Sequence, residues 1–365
     1  MHAAILGLGT AVPPHIFPQM DTAEKFSAIL NLDERKTAAI RQLYKNSAIT
    51  KRHSILNEFN EKRENWNFWG HDFPKTIPGM SERNEIYKNE APKLAYEASL
   101  KALNNWNGNP ASITHVISIS CTGVVAPGLE FGLMQALKLN PSVNRLGINF
   151  MGCFGAFKGL SVAQAFAKEN PKNRILVVCT ELCSLHLQVE TDSETMIGNS
   201  LFSDGASAVI MGAEPGPSEK PLWEIFNSHT LGVEKSLDKM SWEASSKGYL
   251  MRLSHTVPVY LGRAIEAFTD ALLPKNLKAE ECDWPIHPGG KSILQSIEKR
   301  LQISSQHTQA SWKTLANYGN MSSATFFFVL EELRQQKKKR EWAAGLAFGP
   351  GLSIEGVLLR NKEAS

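Results

Sequence analysis

The stretch "INFMGCFGAFKGLSVAQAF", residues 148–166, contains the change from strand to helix that decides the fold. It begins in the apolar run "RLGINF" and continues into "FKGLSVAQAF", where apolar residues recur at helical spacing. Cys153 lies between these patterns, with Gly152 directly before it and Gly155 two residues after it. Because glycines permit the backbone angles of a tight turn, the stretch predicts a strand-to-helix turn that carries a cysteine.

The same alternation of strand and helix patterns extends over the chain. Short apolar runs predict buried strands, namely "AAILGLG", "THVISIS", "NRLGINF", "RILVVCT" and "ASAVIMG". Longer patterns predict helices, among them "APKLAYEASLKALNNW" and "LEFGLMQALKL". Strands that alternate with helices in this way are typical of an α/β fold.

A second series of elements follows a Pro-rich break, "AEPGPSEKP", at 213–221. There, "LWEIFNSHTLG" is similar to "HAAILGLGTAV", "DWPIHPGGKSILQSIEKRL" to "THVISISCTGVVAPGLEFGLMQAL", and "GLAFGPGLSIEGVLL" to "SLFSDGASAVIMG". The agreement in order predicts a duplicated fold of two pseudo-equivalent halves, residues 1–213 and 214–365. An active site between such halves draws residues from both.

Composition excludes several classes of protein. The chain has 365 residues, of which 42% are apolar and 21% charged, and no apolar run approaches the roughly 18 residues of a membrane helix. The N-terminus is more similar to a buried first strand than to a signal peptide, so we expect a cytoplasmic protein. The net charge of +3 is too small to indicate nucleic-acid binding, and the basic run "RQQKKKR" at 334–340 closes a helical pattern.

Cysteines and aromatic residues outside the turn have plain structural interpretations. The five cysteines are an odd number without disulfide-like spacing, which predicts reduced thiols. Cys179 and Cys183 end the run "RILVVCTELC", where we expect small buried hydrophobes and no metal pair. Trp66, Phe68 and Trp69 lie in a polar segment, and we expect them to anchor a long loop.

Three polar residues at strand or helix ends are candidates for chemistry. A lone cysteine such as Cys153 is by default structural, but a helix N-terminus favours a thiolate, so both interpretations remain open at this point. His287, in "WPIHPGGKSIL", follows an apolar strand, where α/β proteins gather catalytic groups, although it could be a hydrogen-bonded core residue. Asn320, in "LANYGNMSSATFFF", is by itself a turn or cap residue.

Together these segments resemble the type III polyketide synthases, the chalcone synthase-like branch of the thiolase-fold condensing enzymes. "GCFGA", "HPGGKSIL", "NYGNMSSA" and "AFGPGLSIEGVLLR" are similar to the family's nucleophile, histidine, asparagine and C-terminal loop motifs, in the same order. The resemblance covers nearly the whole chain and implies a duplicated αβαβα five-layer fold. The β-ketoacyl-carrier-protein synthases of the type III class share the three residue types but not "HPGG" or "YGNMSSA", and are the alternative. A catalytically inactive relative is disfavoured because all three positions are filled.

The resemblance implies a mechanism. Cys153 takes an acyl group from an acyl-CoA starter, and His287 forms a thiolate–imidazolium pair with it. Malonyl-CoA loses CO2, and His287 and Asn320 donate hydrogen bonds to the resulting enolate. Repeated condensation and cyclisation then give a pyrone, a resorcinol or a related polyketide. No metal and no cofactor other than the CoA substrates is implied.

The resemblance also implies cavity and CoA-binding residues. The expected gate and cavity residues are Phe202, Met251, Cys121, Thr122, His186, Trp242, Ser322 and Phe348. The expected CoA-binding cations are Lys36, Arg41, Lys45, Lys51 and Lys291. Met251 and Trp242 depart from the plant enzymes, which makes the chain more similar to bacterial and fungal members. A homodimer is implied, and Ala126 replaces a larger interface side chain.

Overall fold

The computed structural model describes residues 2–363 of the chain. Its strands are β1 Ala4–Ala11, β2 His15–Pro18, β3 Lys51–Ser54, β4 His115–Ser120, β5 Asn144–Asn149, β6 Ile175–Leu182, β7 Asp204–Gly212, β8 Trp223–Gly232, β9 Met240–Ser245, β10 Gly248–Leu253, β11 Cys282–Asp283, β12 Trp342–Gly349 and β13 Ser353–Asn361. Its α-helices are α1 Gln19–Ile29, α2 Glu34–Asn46, α3 Met80–Asn105, α4 Leu129–Ala136, α5 Gly155–Glu169, α6 Ser193–Leu201, α7 Val257–Leu272, α8 Lys291–Leu301, α9 Gln309–Tyr318 and α10 Thr325–Arg334. The strands and helices predicted from the sequence are all present.

The main sheet is two similar sheets joined edge to edge. Its strand order is β11-β12-β13-β8-β1-β7-β6-β4-β5. The junction is short, because β1 and β8 pair only at Ala4 with Glu224 and at Ile5 with Trp223. On either side, the first strand of each half, β1 or β8, lies at the junction and the last strand, β7 or β13, lies next to it. The recurring order of elements expected from the sequence is therefore present in space.

Three apolar clusters divide the molecule into five layers. One cluster packs α3 and α4 on the outer face of the sheet of β1, β4, β6 and β7. A second places α5 and α10 between the two sheets. The third packs α7 and α8 on the outer face of β12 and β13. The predicted αβαβα arrangement is confirmed.

Glycines in β1 explain how closely α3 approaches the sheet. A Cβ atom at Gly9 would lie 2.4 Å from the backbone nitrogen of Ala102, inside any normal contact distance. The "GLG" of the first strand thus lets the long helix pack directly on the backbone.

The expectation of buried strands is wrong for β5. This strand is the edge of the main sheet, and most of its residues are exposed. Leu146 in the strand and Phe150 just after it are exposed apolar side chains. The apolar pattern of "NRLGINF" correctly indicated a strand, but an edge strand in a single chain leaves one side uncovered.

The other structural interpretations agree with the fold. Trp66 and Trp69 are buried with Phe73 in a cluster that holds the loop after β3, as expected for anchoring rings. All five cysteines are free thiols. Between residues 2 and 363, no helix combines the length and the apolar character needed to cross a membrane.

Candidate active site

Cys153 lies at the turn that the glycines predicted. Strand β5 is followed by a 3₁₀ turn, Gly152–Phe154, which leads directly into α5. Gly152 has a φ of 72°, and a Cβ atom there would lie 2.5 Å from the ring of Pro350. Only glycine satisfies both the left-handed backbone and this close contact, so Gly152 fixes the direction of the Cys153 side chain.

Asn320 is held beside the cysteine by the end of α9. Gly319, with a φ of 71°, ends the helix, and the Asn320 backbone pairs with residues 201–203 through its N–H and its carbonyl. The side-chain Oδ1 accepts a hydrogen bond from the Ser322 N–H at 2.8 Å. Both Oδ1 and Nδ2 lie 4.0 Å from Cys153 Sγ, and because Oδ1 already accepts from Ser322, Nδ2 is the end available to donate toward the sulfur.

His287 follows strand β11 and is tied to β12. Its backbone N–H donates to the Leu346 carbonyl at 2.7 Å. The side chain is 1% exposed, and in the part of the chain that the structure describes neither ring nitrogen has a hydrogen-bond partner. Leaving a buried polar group unpaired costs about 1–3 kcal/mol, so such a histidine needs a reason other than stability.

Burial keeps the resting groups neutral. It raises the pKa of the Cys153 thiol to about 11, although hydrogen bonds from Ser322 and Asn320 act in the opposite direction. It also lowers the pKa of His287 to about 3. The helix N-terminus that the sequence analysis expected to favour a thiolate is thus outweighed by desolvation. At neutral pH the resting site therefore holds a neutral thiol and a neutral imidazole.

A small cavity, which we call the nucleophile chamber, surrounds the cysteine. Its volume is about 20 Å³, room for about one water. It is lined by Cys121, Thr122, Gly152, Cys153, Cys183, Phe202, Trp242, Met251, Ser322 and Pro350. The structure thus brings together six of the eight gate and cavity residues expected from the sequence.

A second cavity, the distal cavity, adjoins the chamber. Its volume is about 90 Å³, and it shares Cys183, Phe202, Trp242 and Met251 with the chamber, so these four side chains form a partition. Its remaining apolar lining comes from Phe17, Leu56, Phe59, Trp69 and Leu187. His186 lines this cavity, whereas Phe348 is buried in the outer core of the C-terminal half.

Hydrogen bonds fix the wall that contains the partition. Trp242 Nε1 donates to the Cys121 carbonyl at 2.7 Å. His186 Nδ1 accepts from the Tyr249 N–H at 3.1 Å, which leaves Nε2 as the donor to the Thr122 carbonyl at 2.8 Å. Burial lowers the pKa of His186 to about 3, so it stays neutral in this role.

An open groove of about 520 Å³ lies outside the chamber, between α2, α6, α7 and α8. Of the five cations expected to bind CoA, Lys291 lines this groove. Lys36, Arg41, Lys45 and Lys51 are not among its lining residues. Arg41 instead pairs with Glu24 at 2.6 Å on the surface.

Three residues of the site were missed by the sequence analysis. Cys183 is buried as expected, but it lines both cavities. Pro350 contacts the nucleophile turn at Gly152, and Glu181 is a fully buried carboxylate that binds the chamber residues Cys121 and Thr122. Glu181 had a visible signal, since an acidic residue interrupts the apolar run "ILVVCTEL" of β6.

Comparison with known proteins gives a consistent result over the whole chain. The family model "Chalcone and stilbene synthases, N-terminal domain" matches residues 1–215, and the corresponding C-terminal model matches residues 232–362. Type III polyketide synthase A of Arabidopsis thaliana is 30% identical over 375 residues, with 100% of this chain and 94% of that protein covered. These matches do not favour the alternative of a carrier-protein synthase.

Two further similarities involve a slime mould. Probable polyketide synthase 1 of Dictyostelium discoideum is 34% identical over 364 residues, which is 98% of this chain but only 11% of that protein. The crystal structure of the C-terminal type III polyketide synthase domain of Steely1, a type I/III hybrid from Dictyostelium, superposes with a TM-score of 0.94 and 34% identity, covering 99% of this chain and 100% of that one. The prediction from the sequence is confirmed: the chain belongs to the chalcone and stilbene synthase family, the type III polyketide synthases.

Proposed function

We propose that this polyketide synthase loads an acyl group from an acyl-CoA onto Cys153 and extends it with malonyl-CoA units. The observation that carries the proposal is a fully buried histidine, His287, whose two ring nitrogens are free of hydrogen bonds among the described residues. A second buried group, the Asn320 amide, lies 4.0 Å from the Cys153 sulfur through both Oδ1 and Nδ2, and Oδ1 is already occupied by the Ser322 N–H. Buried polar groups without strong hydrogen-bond partners suit a site where charge appears only during reaction.

Loading begins with a proton transfer from the thiol to the imidazole. His287 Nε2 takes the Cys153 proton, and the thiolate attacks the thioester carbonyl and expels the CoA thiolate. The pair forms most readily when substrate approaches, because each group alone is held neutral by burial. The product of this step is an acyl thioester on Cys153.

Extension begins with the loss of CO2 from malonyl-CoA. The electrons of the broken C–C bond form an enolate whose oxygen accepts hydrogen bonds from His287 Nε2 and Asn320 Nδ2. An amide suits the second position since it donates without carrying a charge that would repel the enolate. The enolate carbon then attacks the Cys153 thioester and releases the thiolate, and repetition followed by cyclisation gives a pyrone, a resorcinol or a related polyketide. Each step is acyl, CO2 or proton transfer, so the proposal includes no metal or redox cofactor.

The distal cavity supports an apolar starter. The nucleophile chamber has room for about one water, which is too small for an acyl chain of any length. The larger distal cavity lies behind the four partition residues. Two of these are aromatic, Phe202 and Trp242, and a third, Met251, is a flexible apolar side chain. Movement of Met251 or Phe202 would join the two spaces and admit a chain.

The outer groove supports CoA binding through Lys291. This lysine begins α8, so its ammonium and the helix N-terminus both attract phosphate. We retain Lys36, Arg41, Lys45 and Lys51 as long-range attractants only, because they lie outside the groove lining.

A homodimer is supported by the uncovered edge strand β5. Leu146, Phe150 and Val124 form exposed apolar surface around it, next to Ala126. Pairing of this edge with a second copy would cover both. The small side chain of Ala126 then contributes little to that interface.

We further assign the nucleophile to a domain of residues 1–213 and the histidine and asparagine to a domain of residues 214–365. The proposed location is the cytoplasm, where the five unpaired thiols stay reduced.

The test is incubation of the purified protein with a panel of acyl-CoA starters and labelled malonyl-CoA. The expected products are triketide or tetraketide pyrones or resorcinols, identified by mass spectrometry. A single β-ketoacyl product formed only on a carrier protein would contradict the proposal.

A further inference from the structure

Glu181 is a buried carboxylate that has no part in the chemistry above. It lies near the end of β6 and is 0% exposed. The donors that reach it are neutral: a backbone N–H and the hydroxyls of serine and threonine residues. Burying a carboxylate among neutral groups is costly, so its hydrogen bonds must hold something in place.

The two oxygens of Glu181 bind different halves of the molecule. Oε2 accepts hydrogen bonds from the Cys121 N–H at 2.9 Å and from Thr122 Oγ1 at 2.8 Å, both just after β4. Oε1 accepts from the Ser323 hydroxyl, in the turn before α10. One carboxylate thus connects the loop of the N-terminal half to the turn of the C-terminal half.

On the C-terminal side, this connection reaches the enolate donor. Ser323 is adjacent to Ser322, whose N–H holds Asn320 Oδ1 at 2.8 Å. That hydrogen bond occupies Oδ1 and so leaves Nδ2 as the end of the amide that can donate, although both ends lie 4.0 Å from Cys153 Sγ. A shift of the serine turn would therefore misalign the Asn320 donor.

On the N-terminal side, the connection reaches the cavity partition. Cys121 donates its N–H to Glu181, and its carbonyl accepts from Trp242 Nε1. Thr122 donates its hydroxyl to Glu181, and its carbonyl accepts from His186 Nε2. The wall that separates the two cavities is therefore supported, through one loop, by the same carboxylate.

We propose that Glu181 is a positioning residue that fixes the enolate donor Asn320 relative to the cavity partition. Decarboxylation and product size should therefore both depend on it. This inference rests on the proposed function of Asn320 and of the cavities. Glu181 touches neither cavity among the residues that line them. It acts only through the serine turn and the loop after β4.

The charge of Glu181 supplies a second, independent readout. Burial raises the pKa of Cys153, and the neighbouring Glu181 carboxylate raises it further. A neutral replacement of the same shape keeps most hydrogen bonds but removes this contribution. The pH at which Cys153 becomes reactive toward iodoacetamide should therefore fall in Glu181→Gln.

The experiment compares Glu181→Ala with Glu181→Gln. We expect Glu181→Ala to lower malonyl-CoA decarboxylation roughly 10- to 100-fold and to change the ratio of product lengths, because a misplacement of about 1 Å has effects of this size. Glu181→Gln should restore both while it moves the Cys153 alkylation profile to lower pH. The matched control is Thr180→Val, on the neighbouring buried position, whose hydroxyl has no hydrogen-bond partner among the described residues.

Two results would overturn the inference: a folded Glu181→Ala enzyme that retains both activities, or a Glu181→Gln enzyme as impaired as Glu181→Ala. If Glu181→Ala does not fold, Ser323→Ala replaces it, since it removes only the C-terminal connection and should lower decarboxylation alone. Asn320→Ala is measured in parallel. If Asn320→Ala loses decarboxylation but the Glu181 and Ser323 variants keep it, only the inference about Glu181 is refuted. If Asn320→Ala itself keeps decarboxylation, the proposed function of Asn320 is refuted.

Discussion

In the N-terminal half, the 3₁₀ turn Gly152–Phe154 leads into α5 and carries Cys153; in the C-terminal half, the 3₁₀ turn Ser322–Ala324 leads into α10 and follows Asn320. Both helices lie in the central layer, so the two turns face each other across the pseudo-two-fold relation of the halves. Their side chains differ. The first turn presents a thiol and the second presents an amide held by a backbone N–H.

The strands next to these turns show the same division. After β4, the N-terminal half has Cys121 and Thr122, which line the chamber; after β11, the C-terminal half has His287. The duplicated fold thus has two similar halves, and equivalent positions in them carry different functional residues. In the proposed mechanism the N-terminal half carries the acyl group and the C-terminal half stabilises negative charge. Both halves shape the cavity, since the partition takes Cys183 and Phe202 from the first and Trp242 and Met251 from the second. Variants in one half should therefore affect one partial reaction more than the other.

Replacing the nucleophile should have the largest effect. Cys153→Ala removes the proposed nucleophile, whose sulfur lies 4.0 Å from Asn320 Nδ2, so acyl loading should fall roughly 10³-fold or more, measured by intact-protein mass after incubation with acyl-CoA. Malonyl-CoA decarboxylation should persist, because its donors lie in the other half. Cys179→Ala, a buried thiol of the core, is the control. An acyl adduct on any other cysteine would contradict the assignment.

Replacing the amide should give the reverse pattern. Asn320→Ala removes one donor to the enolate, so decarboxylation of labelled malonyl-CoA should fall about 10²- to 10³-fold. Acyl loading should stay close to that of the unaltered protein, because the thiol and imidazole remain. Thr314→Val in the same helix α9, whose hydroxyl lacks a partner among the described residues, controls for folding. Equal loss of both partial reactions would refute the division between the halves.

Replacing the histidine should move a pH profile. In the proposed mechanism, the imidazolium of His287 stabilises the Cys153 thiolate, so iodoacetamide should inactivate the unaltered enzyme near neutral pH. In His287→Ala, the thiol keeps its burial-raised pKa of about 11, and the midpoint of alkylation should rise toward that value. His115→Gln, at a buried histidine at the start of β4, is the control. An unchanged midpoint would show that His287 does not pair with the thiol.

The sequence predicted what depends on local pattern. The strand-to-helix turn at Cys153 was visible because glycine is required where φ is positive and Pro350 approaches. The family motifs placed the chemistry at Cys153, His287 and Asn320, which the structure sets at strand and helix ends as the patterns indicated. These features depend on a few neighbouring residues, which a single sequence displays.

What depends on distant packing was not predictable. The basic residues of α2 had the right charge, but the helix turns Lys36 and Lys45 to solvent. The apolar pattern of β5 does not say whether a neighbour within the chain or a second copy covers it. Glu181 is significant only because loops more than 50 residues before it and 140 residues after it converge on its two oxygens.

The partition offers the smallest expected effect on rate and the sharpest effect on selectivity. Trp242→Ala removes the indole between the nucleophile chamber and the distal cavity, whereas Trp242→Phe keeps a ring but loses the hydrogen bond to the Cys121 carbonyl, worth about 1 kcal/mol. We expect Trp242→Ala to raise kcat/KM for long relative to short acyl-CoA starters roughly tenfold, as pocket changes of this size do. Trp342→Phe, half-buried at the start of β12, is the control. Because Cys153, His287 and Asn320 are intact in these variants, an unchanged ratio in Trp242→Ala would mean that the acyl chain does not pass the partition.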